Sequence, residues 1–158
     1  MQAYCEWMDL TYRPATEADL PFLDELAAED EIGAARDGLR PDHAEQALEG
    51  LRAISADPNH TLYIVEREGE PVGSFQLSFI PGVARKGAWR GQIESVRVRK
   101  ALRKHGIGEA MIRWAVERCR ERGCAVVQLT SDRQREGAHR FYERLGFVPS
   151  HTGFKLPL

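Results

Sequence analysis

The sequence predicts a protein of the α/β (α+β) class, and three stretches support that prediction. A strand-like alternation, a turn with two glycines and an amphipathic helix follow one another over Ile93–Gly123. Upstream, Thr61–Arg67 and Val72–Ile80 are rich in strand formers and flank a Glu68-Gly69-Glu70 turn, which predicts an antiparallel hairpin. Downstream, Ala125–Thr130 predicts a short strand. Strands and helices together imply a sheet covered by helices.

The two ends of the chain fit the same class. Leu10–Arg13 predicts an opening strand and Pro21–Glu29 a first helix. After a loop over Gly33–Arg40, a second helix is expected between Pro41-Asp42 and Asp57-Pro58. Near the other end, Ala138, Phe141, Tyr142 and Leu145 predict one face of a final helix that stops at Gly146, and the segment through Phe154 and Leu156 suits one or two last strands.

A basic and aromatic loop is expected over Pro81–Gly91, before the strand that leads into the glycine turn. It carries Arg85, Lys86, Trp89 and Arg90. Such a loop is typical of a solvated connection, and the alternative is that it contacts an acidic or aromatic acceptor. On the second interpretation Trp89 and Arg90 are candidate substrate contacts.

Length and composition restrict the class of function. The 158 residues predict one domain, 1–158, with a short leader over residues 1–8. A formal net charge of −2 gives no bulk attraction to nucleic acid, and the longest apolar runs are too short for a membrane span. The first residues lack a signal-peptide pattern, so a cytoplasmic location is expected. Three cysteines without metal-type spacing predict free thiols and no metal site.

The turn inside Ile93–Gly123 has the features of an anion site. Gly106 and Gly108 have no Cβ, so the backbone can bend tightly and approach a ligand. The first amides of the following helix lie at the positive end of its dipole. Arg103, Lys104 and His105 add cationic or polar side chains. The turn therefore suits a phosphate or pyrophosphate, and the alternative is an ordinary strand-to-helix connection.

Two blocks of sequence carry a resemblance to a known family. Arg103, Gly106 and Gly108 follow a strand ending in Val96-Arg97-Val98, and this spacing is similar to the acyl-coenzyme A signature of the GNAT superfamily of N-acetyltransferases. The block AVVQLTSDRQREGAHRFYERLGF resembles that family's closing strand, helix and Tyr-x-x-x-Gly-Phe ending. Both blocks lie in the second half of the chain. The resemblance implies a mixed, mostly antiparallel six- to seven-stranded sheet flanked by about four helices.

The resemblance also implies acetyl-CoA as co-substrate, direct transfer to an amine of a small molecule or protein, and no metal. Pyrophosphate would bind the amides of the turn, and pantetheine would run along Val96 to Val98. Many family members have an asparagine where this chain has Arg135, so that residue is a charged candidate contact. The implied coenzyme contacts are Val96, Val98, Arg103, Lys104, His105, Gly106, Ile107, Gly108 and Arg135. Dimers are common among similar proteins, so a homodimer is compatible with the resemblance.

Two side chains are candidates for proton transfer. By analogy with the family, Tyr142 would protonate the departing thiolate; the alternative is that it packs in the core. Glu94 is the candidate base for the acceptor ammonium. If the strand has no bulge, Glu94 shares a face with Val96 and Val98. The alternative is a solvent-facing Glu94 paired with Arg90 or Arg97.

Two rival functions remain at this stage. A non-catalytic acyl-CoA binding or sensing domain would keep the turn but lack turnover. A nucleic-acid face on the helix arginines is disfavoured, because Glu109, Glu117 and Glu121 interrupt them.

Overall fold

A computed structural model of the chain describes residues 9–33 and 43–158. Its five strands form one sheet in the order β1-β2-β3-β4-β5. They are β1 (Leu10–Pro14), β2 (His60–Arg67), β3 (Glu70–Ile80), β4 (Trp89–Val98) and β5 (Cys124–Leu129). Neighbouring strands from β1 to β4 are antiparallel, and β5 is parallel to β4. The predicted mixed, mostly antiparallel sheet is confirmed.

Among the described residues, four longer helices flank this sheet: α1 (Leu20–Ala28), α2 (His43–Ala56), α3 (Ile107–Arg122) and α4 (Glu136–Arg144). Shorter helical turns occupy Glu17–Asp19, Ala84–Gly87 and Lys100–Leu102. The glycine after α3, Gly123, has φ 80° and donates its amide to the Arg120 and Cys119 carbonyls, so it ends the helix as the sequence predicts.

Each face of the sheet buries its own apolar cluster. Toward α3, the cluster includes Phe75, Leu77, Ile93 and Met111. Toward α1 and α2, a smaller cluster contains Phe22, Leu26, Leu51, Ile64 and Ala15. The alternation of β3 explains this division, because Phe75 and Leu77 point to α3 while Ser74 and Ser78 are buried on the opposite face.

An ion-pair network fixes the start of α1. Arg13 donates to both carboxylate oxygens of Asp19 at 2.8 Å and to Glu66 at 2.7 Å. Asp19 also accepts hydrogen bonds from the Thr16 amide and hydroxyl. The Arg13 hydrogen bonds outweigh the effect of burial and lower the pKa of Asp19 to about 2.

The number of strands and the last strand differ from the prediction. Six or seven strands were expected, and the sheet has five among the described residues, because residues 147–158 form no strand. Phe154 and Leu156 are 92% and 83% exposed, so their alternation buries no apolar face that would hold a strand in place.

The loop predicted over Pro81–Gly91 is too long at its end, because β4 already begins at Trp89. The prediction treated Gly91 as a loop residue. It is buried inside β4, where a Cβ would collide with the Cys119 side chain of α3, so it permits close helix–strand packing and does not make a turn. Gly33, predicted to begin a loop that runs to Arg40, is helical together with the two residues before it. The rest of that loop, the Pro41-Asp42 helix start and the leader lie outside the described residues.

A β-bulge interrupts β4 near its end. Gln76 of β3 is opposite Glu94 and Ser74 is opposite Arg97, so Ser95 and Val96 together oppose Phe75. Ser95 has φ 52°, a left-handed conformation. The bulge reverses the alternation of side chains beyond it. Glu94 therefore does not share a face with Val96 and Val98, as it would in an uninterrupted strand.

Candidate active site

The turn between β4 and α3 presents a series of free amides. Within residues 9–33 and 43–158, no backbone nitrogen from Lys104 to Gly108 donates a hydrogen bond to a main-chain oxygen outside the helix. Lys104 has φ 65° and Gly106 has φ 79°, so two left-handed residues lie within five positions. Such turns direct successive N–H groups into a concavity that binds anions, and the α3 dipole adds to this potential.

The side chains of the turn differ in what they contact. Arg103 donates from Nε to the Val98 carbonyl at 3.0 Å and from Nη2 to the Glu29 carbonyl at 3.2 Å, so it joins the turn to β4 and to the end of α1. Lys104 and His105 are exposed. The two predicted glycines have different roles. Gly106 needs its left-handed backbone, whereas a Cβ on Gly108 would lie 3.7 Å from Phe141 and 3.9 Å from Val98, directed into the protein.

One edge of β4 is open beside this turn. β5 pairs with β4 only from Trp89 to Ile93, although β4 continues to Val98. In the described part of the chain, residues 94–98 therefore have no strand partner on that side. Val96 and Val98 direct their side chains to the α3 cluster and leave their backbone at the edge. An extended ligand can bind there by strand-like hydrogen bonds.

Tyr142 lies on α4, next to Phe141, which lies close to Gly108 at the start of α3. Its ring packs edge-on against Phe141 and Phe147, with centroids 5.1 and 5.8 Å away. No described residue hydrogen-bonds to its hydroxyl. Burial raises the pKa of Tyr142, and the positive charge of Arg135 partly offsets that rise. A phenol is already protonated at neutral pH, and the rise in pKa makes Tyr142 a weaker acid.

The bulge separates Glu94 from the two valines expected beside it. Leu77 and Ile93 are opposite each other in the α3 cluster, so Gln76 and Glu94 point to the other face, toward α1 and α2. The carboxylate of Glu94 is exposed and forms no ion pair with Arg90 or Arg97. The expectation that Glu94 shares a face with Val96 and Val98 was conditional on an uninterrupted strand, and that condition is not met.

Arg135 meets a partner that the sequence gives no sign of. From Nη2 it donates to both carboxylate oxygens of Asp30, 2.8 Å each. Arg97 Nε lies 3.8 Å from the same carboxylate. Burial raises the pKa of Asp30. The hydrogen bonds from Arg135 and Gly33 and the charges of both arginines have the opposite and larger combined effect, so the pKa of Asp30 lies below its usual value. No local pattern could reveal this pair, because 105 positions separate the two residues.

The structure does not bring Trp89 and Arg90 to the turn. They lie at the opposite end of β4, where the Arg122 guanidinium lies 3.9 Å from the centroid of the Trp89 ring. Their role in acceptor binding stays a prediction.

Other features of the surface are separate from this site. Two depressions of about 430 and 180 Å³ lie between β1 and α2, lined in part by Ala15, Leu51 and Ser55. Among the described residues, no group of three or more His, Cys, Asp or Glu side chains is arranged to hold a metal. None of the described helices has the length and apolar character needed to cross a bilayer.

A mixed sheet that opens beside a turn of free amides is the arrangement that the resemblance to acyl-coenzyme A acetyltransferases implies. Residues 20–147 match the acetyltransferase (GNAT) family, which is most of the chain. The chain therefore belongs to this family and is an acetyl-CoA-dependent N-acetyltransferase.

Individual proteins share sequence or fold with this chain. An aminoalkylphosphonate N-acetyltransferase from Salmonella typhimurium is 33% identical over 106 residues, which are 67% of this chain and 68% of that protein. Among solved structures, a protein from Bacillus halodurans C-125 described as a transcriptional regulator has a TM-score of 0.85 and 40% identity, over 94% of this chain and 99% of that one. A Trypanosoma brucei acetyltransferase has a TM-score of 0.71 and 29% identity, over 95% and 100%.

Proposed function

We propose that this protein moves an acetyl group from acetyl-CoA directly to the primary amine of a small molecule, with Glu94 as base and Tyr142 as acid. Three features near one end of β4 support the proposal: the free amides of Lys104 to Gly108, the open edge over residues 94–98, and Tyr142, whose ring packs against the Phe141 ring that lies close to Gly108. Each supplies one requirement of acyl transfer from a thioester.

Binding of the co-substrate is assigned to the backbone. The amides of the turn, at the positive end of α3, would hold the pyrophosphate, and the open edge of β4 would hold the pantetheine arm. The thioester supplies an activated acyl carbon, which an oriented amine can attack without a covalent enzyme intermediate. The residues of this chain orient the reactants and handle protons.

Proton handling is assigned to two side chains on different elements. Glu94, exposed on the α1 and α2 face, would accept a proton from the acceptor ammonium, directly or through water. Tyr142, whose phenol is protonated at neutral pH, would donate to the departing thiolate. The acceptor class to try first is aminoalkylphosphonates, because the Salmonella relative is named for them.

Replacing Tyr142 by Phe tests the catalytic assignment. The substitution removes only the hydroxyl, so the ring contacts with Phe141 and Phe147 remain and acetyl-CoA binding should be unchanged. We expect kcat to fall by roughly 100-fold or more, the range of general-acid effects. Tyr63→Phe, on a tyrosine that stacks against Phe75 away from the turn, is the matched control.

An unchanged kcat in Tyr142→Phe would remove the acid role. A non-catalytic acyl-CoA sensor gives a different result: the protein would bind acetyl-CoA yet release no thiol with any amine in a broad panel.

A further inference from the structure

The bulge in β4 brings together two residues that an uninterrupted strand would separate. Glu94 and Arg97 are three positions apart, so regular alternation would place them on opposite faces. Their partners on β3, Gln76 and Ser74, are two positions apart and share a face. Glu94 and Arg97 therefore point the same way, with their Cα atoms about 7 Å apart, the length of two strand residues.

That shared face is the one that α1 and α2 cover. Ser74 is opposite both Arg97 and Ile64, and Ile64 belongs to the cluster beneath α1 and α2. Arg97 confirms the direction, because its guanidinium lies beside Asp30 just after α1. The carboxylate and the guanidinium thus face the same space next to the open edge of β4.

The charge of Arg97 is only partly balanced. Among residues 9–33 and 43–158, the buried Nε of Arg97 has no hydrogen-bond partner, and its distance of 3.8 Å to Asp30 exceeds hydrogen-bond length. Asp30 in turn accepts from Arg135 through both oxygens. Two guanidinium groups therefore meet one carboxylate, and the exposed part of the Arg97 side chain, 23% of its surface, can offer the surplus positive charge to an anionic oxygen.

We propose that Arg97 is a specificity-determining residue that binds an acid group on the acceptor, so that the preferred substrate is a small amine that also carries a phosphonate or carboxylate. The inference rests on the proposed function, since Glu94 would receive the proton of the same amine. Glu94 and Arg97 share one face of the sheet, so one small molecule can approach Glu94 with its amine and Arg97 with its acid.

Matched acceptors test this assignment. Aminoethylphosphonate, β-alanine and propylamine have similar length and differ in the acid group. The parent protein should favour both acids over propylamine in kcat/KM by roughly 10-fold or more, the size expected for one charged hydrogen bond. Arg97→Gln should raise KM for the acids by a similar factor, leave their kcat nearly unchanged and leave propylamine unaffected. Arg97→Lys should keep part of the preference.

A matched control and a binding measurement complete the experiment. Arg113→Gln removes an exposed α3 arginine that pairs with Glu109 and should change nothing. Titration of aminoethylphosphonate into the protein saturated with coenzyme A gives a readout without turnover, and Arg97→Gln should weaken that binding by the same factor. Bound coenzyme in each variant verifies its fold.

Two outcomes overturn the assignment. One is a parent that uses propylamine as well as the acids; the other is an acid preference that survives in Arg97→Gln. Failure of the proposed function looks different, because no amine, including propylamine, would then be acetylated although acetyl-CoA binds. In that case the titration still decides whether Arg97 binds the acid.

Discussion

The two glycines of the turn respond differently to the same substitution. Gly106 has φ 79°, so Gly106→Ala forces a side chain into the left-handed region, and we expect the free energy of unfolding to fall by about 1–2 kcal/mol. Gly108 has room for a Cβ, 3.7 Å from Phe141 and 3.9 Å from Val98. Gly108→Ala should therefore fold normally and gain up to about 1 kcal/mol from helix propensity.

The two variants should also differ in how tightly they bind the coenzyme. Relaxation of residue 106 out of the left-handed region redirects the neighbouring amides, and loss of one charged hydrogen bond weakens binding by roughly 10-fold. At a hundred times the parent dissociation constant, acetyl-CoA should stabilise the parent by about 2.7 kcal/mol and Gly106→Ala by only about 1.4 kcal/mol. Gly108→Ala should match the parent, because its new methyl group points into the protein.

Urea denaturation with and without acetyl-CoA measures both effects. The reasoning is refuted if Gly106→Ala keeps the ligand stabilisation of the parent, since the left-handed residue would then not shape the site. It is also refuted if Gly108→Ala loses that stabilisation, since its Cβ would then obstruct the ligand.

Two further predictions concern stability. Asp19→Asn should lower the free energy of unfolding at pH 7 by on the order of 2 kcal/mol, because the folded pKa of Asp19 is about 2 against an ordinary 3.8. That contribution is present above pH 3.8 and is lost as the pH falls through 2, so denaturation curves of parent and variant should converge in acid; a gap that persists there would contradict the assignment. Phe75→Ala removes a fully buried ring that packs against Tyr63 and Trp114, and should lower the free energy of unfolding by about 3–5 kcal/mol in the same assay. A loss below about 1 kcal/mol would mean that this core is loosely packed.

Local patterns in the sequence were sufficient to predict most of the elements. The hairpin of β2 and β3, the glycine turn and the full length of α3 follow from periodicity, turn residues and a helix-ending glycine. Gly91 shows the limit of this reasoning, because a buried glycine that permits close packing looks the same in sequence as a loop glycine. The prediction of a last strand was wrong for a related reason. Phe154 and Leu156 alternate as in a strand, but nothing in the described chain covers them.

The parts of the candidate site that are formed by residues close in sequence could be predicted. The parts that depend on how strands pair with each other could not. The turn and Tyr142 lie on elements that the sequence identifies. The bulge depends on how β4 pairs with β3, so the shared face of Glu94 and Arg97 could not be read from β4 alone. The contact of Asp30 with Arg135 depends on the complete fold.

A crystal structure with bound acetyl-CoA tests the central claim most directly. We predict that diphosphate oxygens lie about 3 Å from backbone nitrogens between Lys104 and Gly108, and that the pantetheine arm follows the edge of β4 over residues 94–98. A coenzyme bound elsewhere, with this turn empty, would contradict the account.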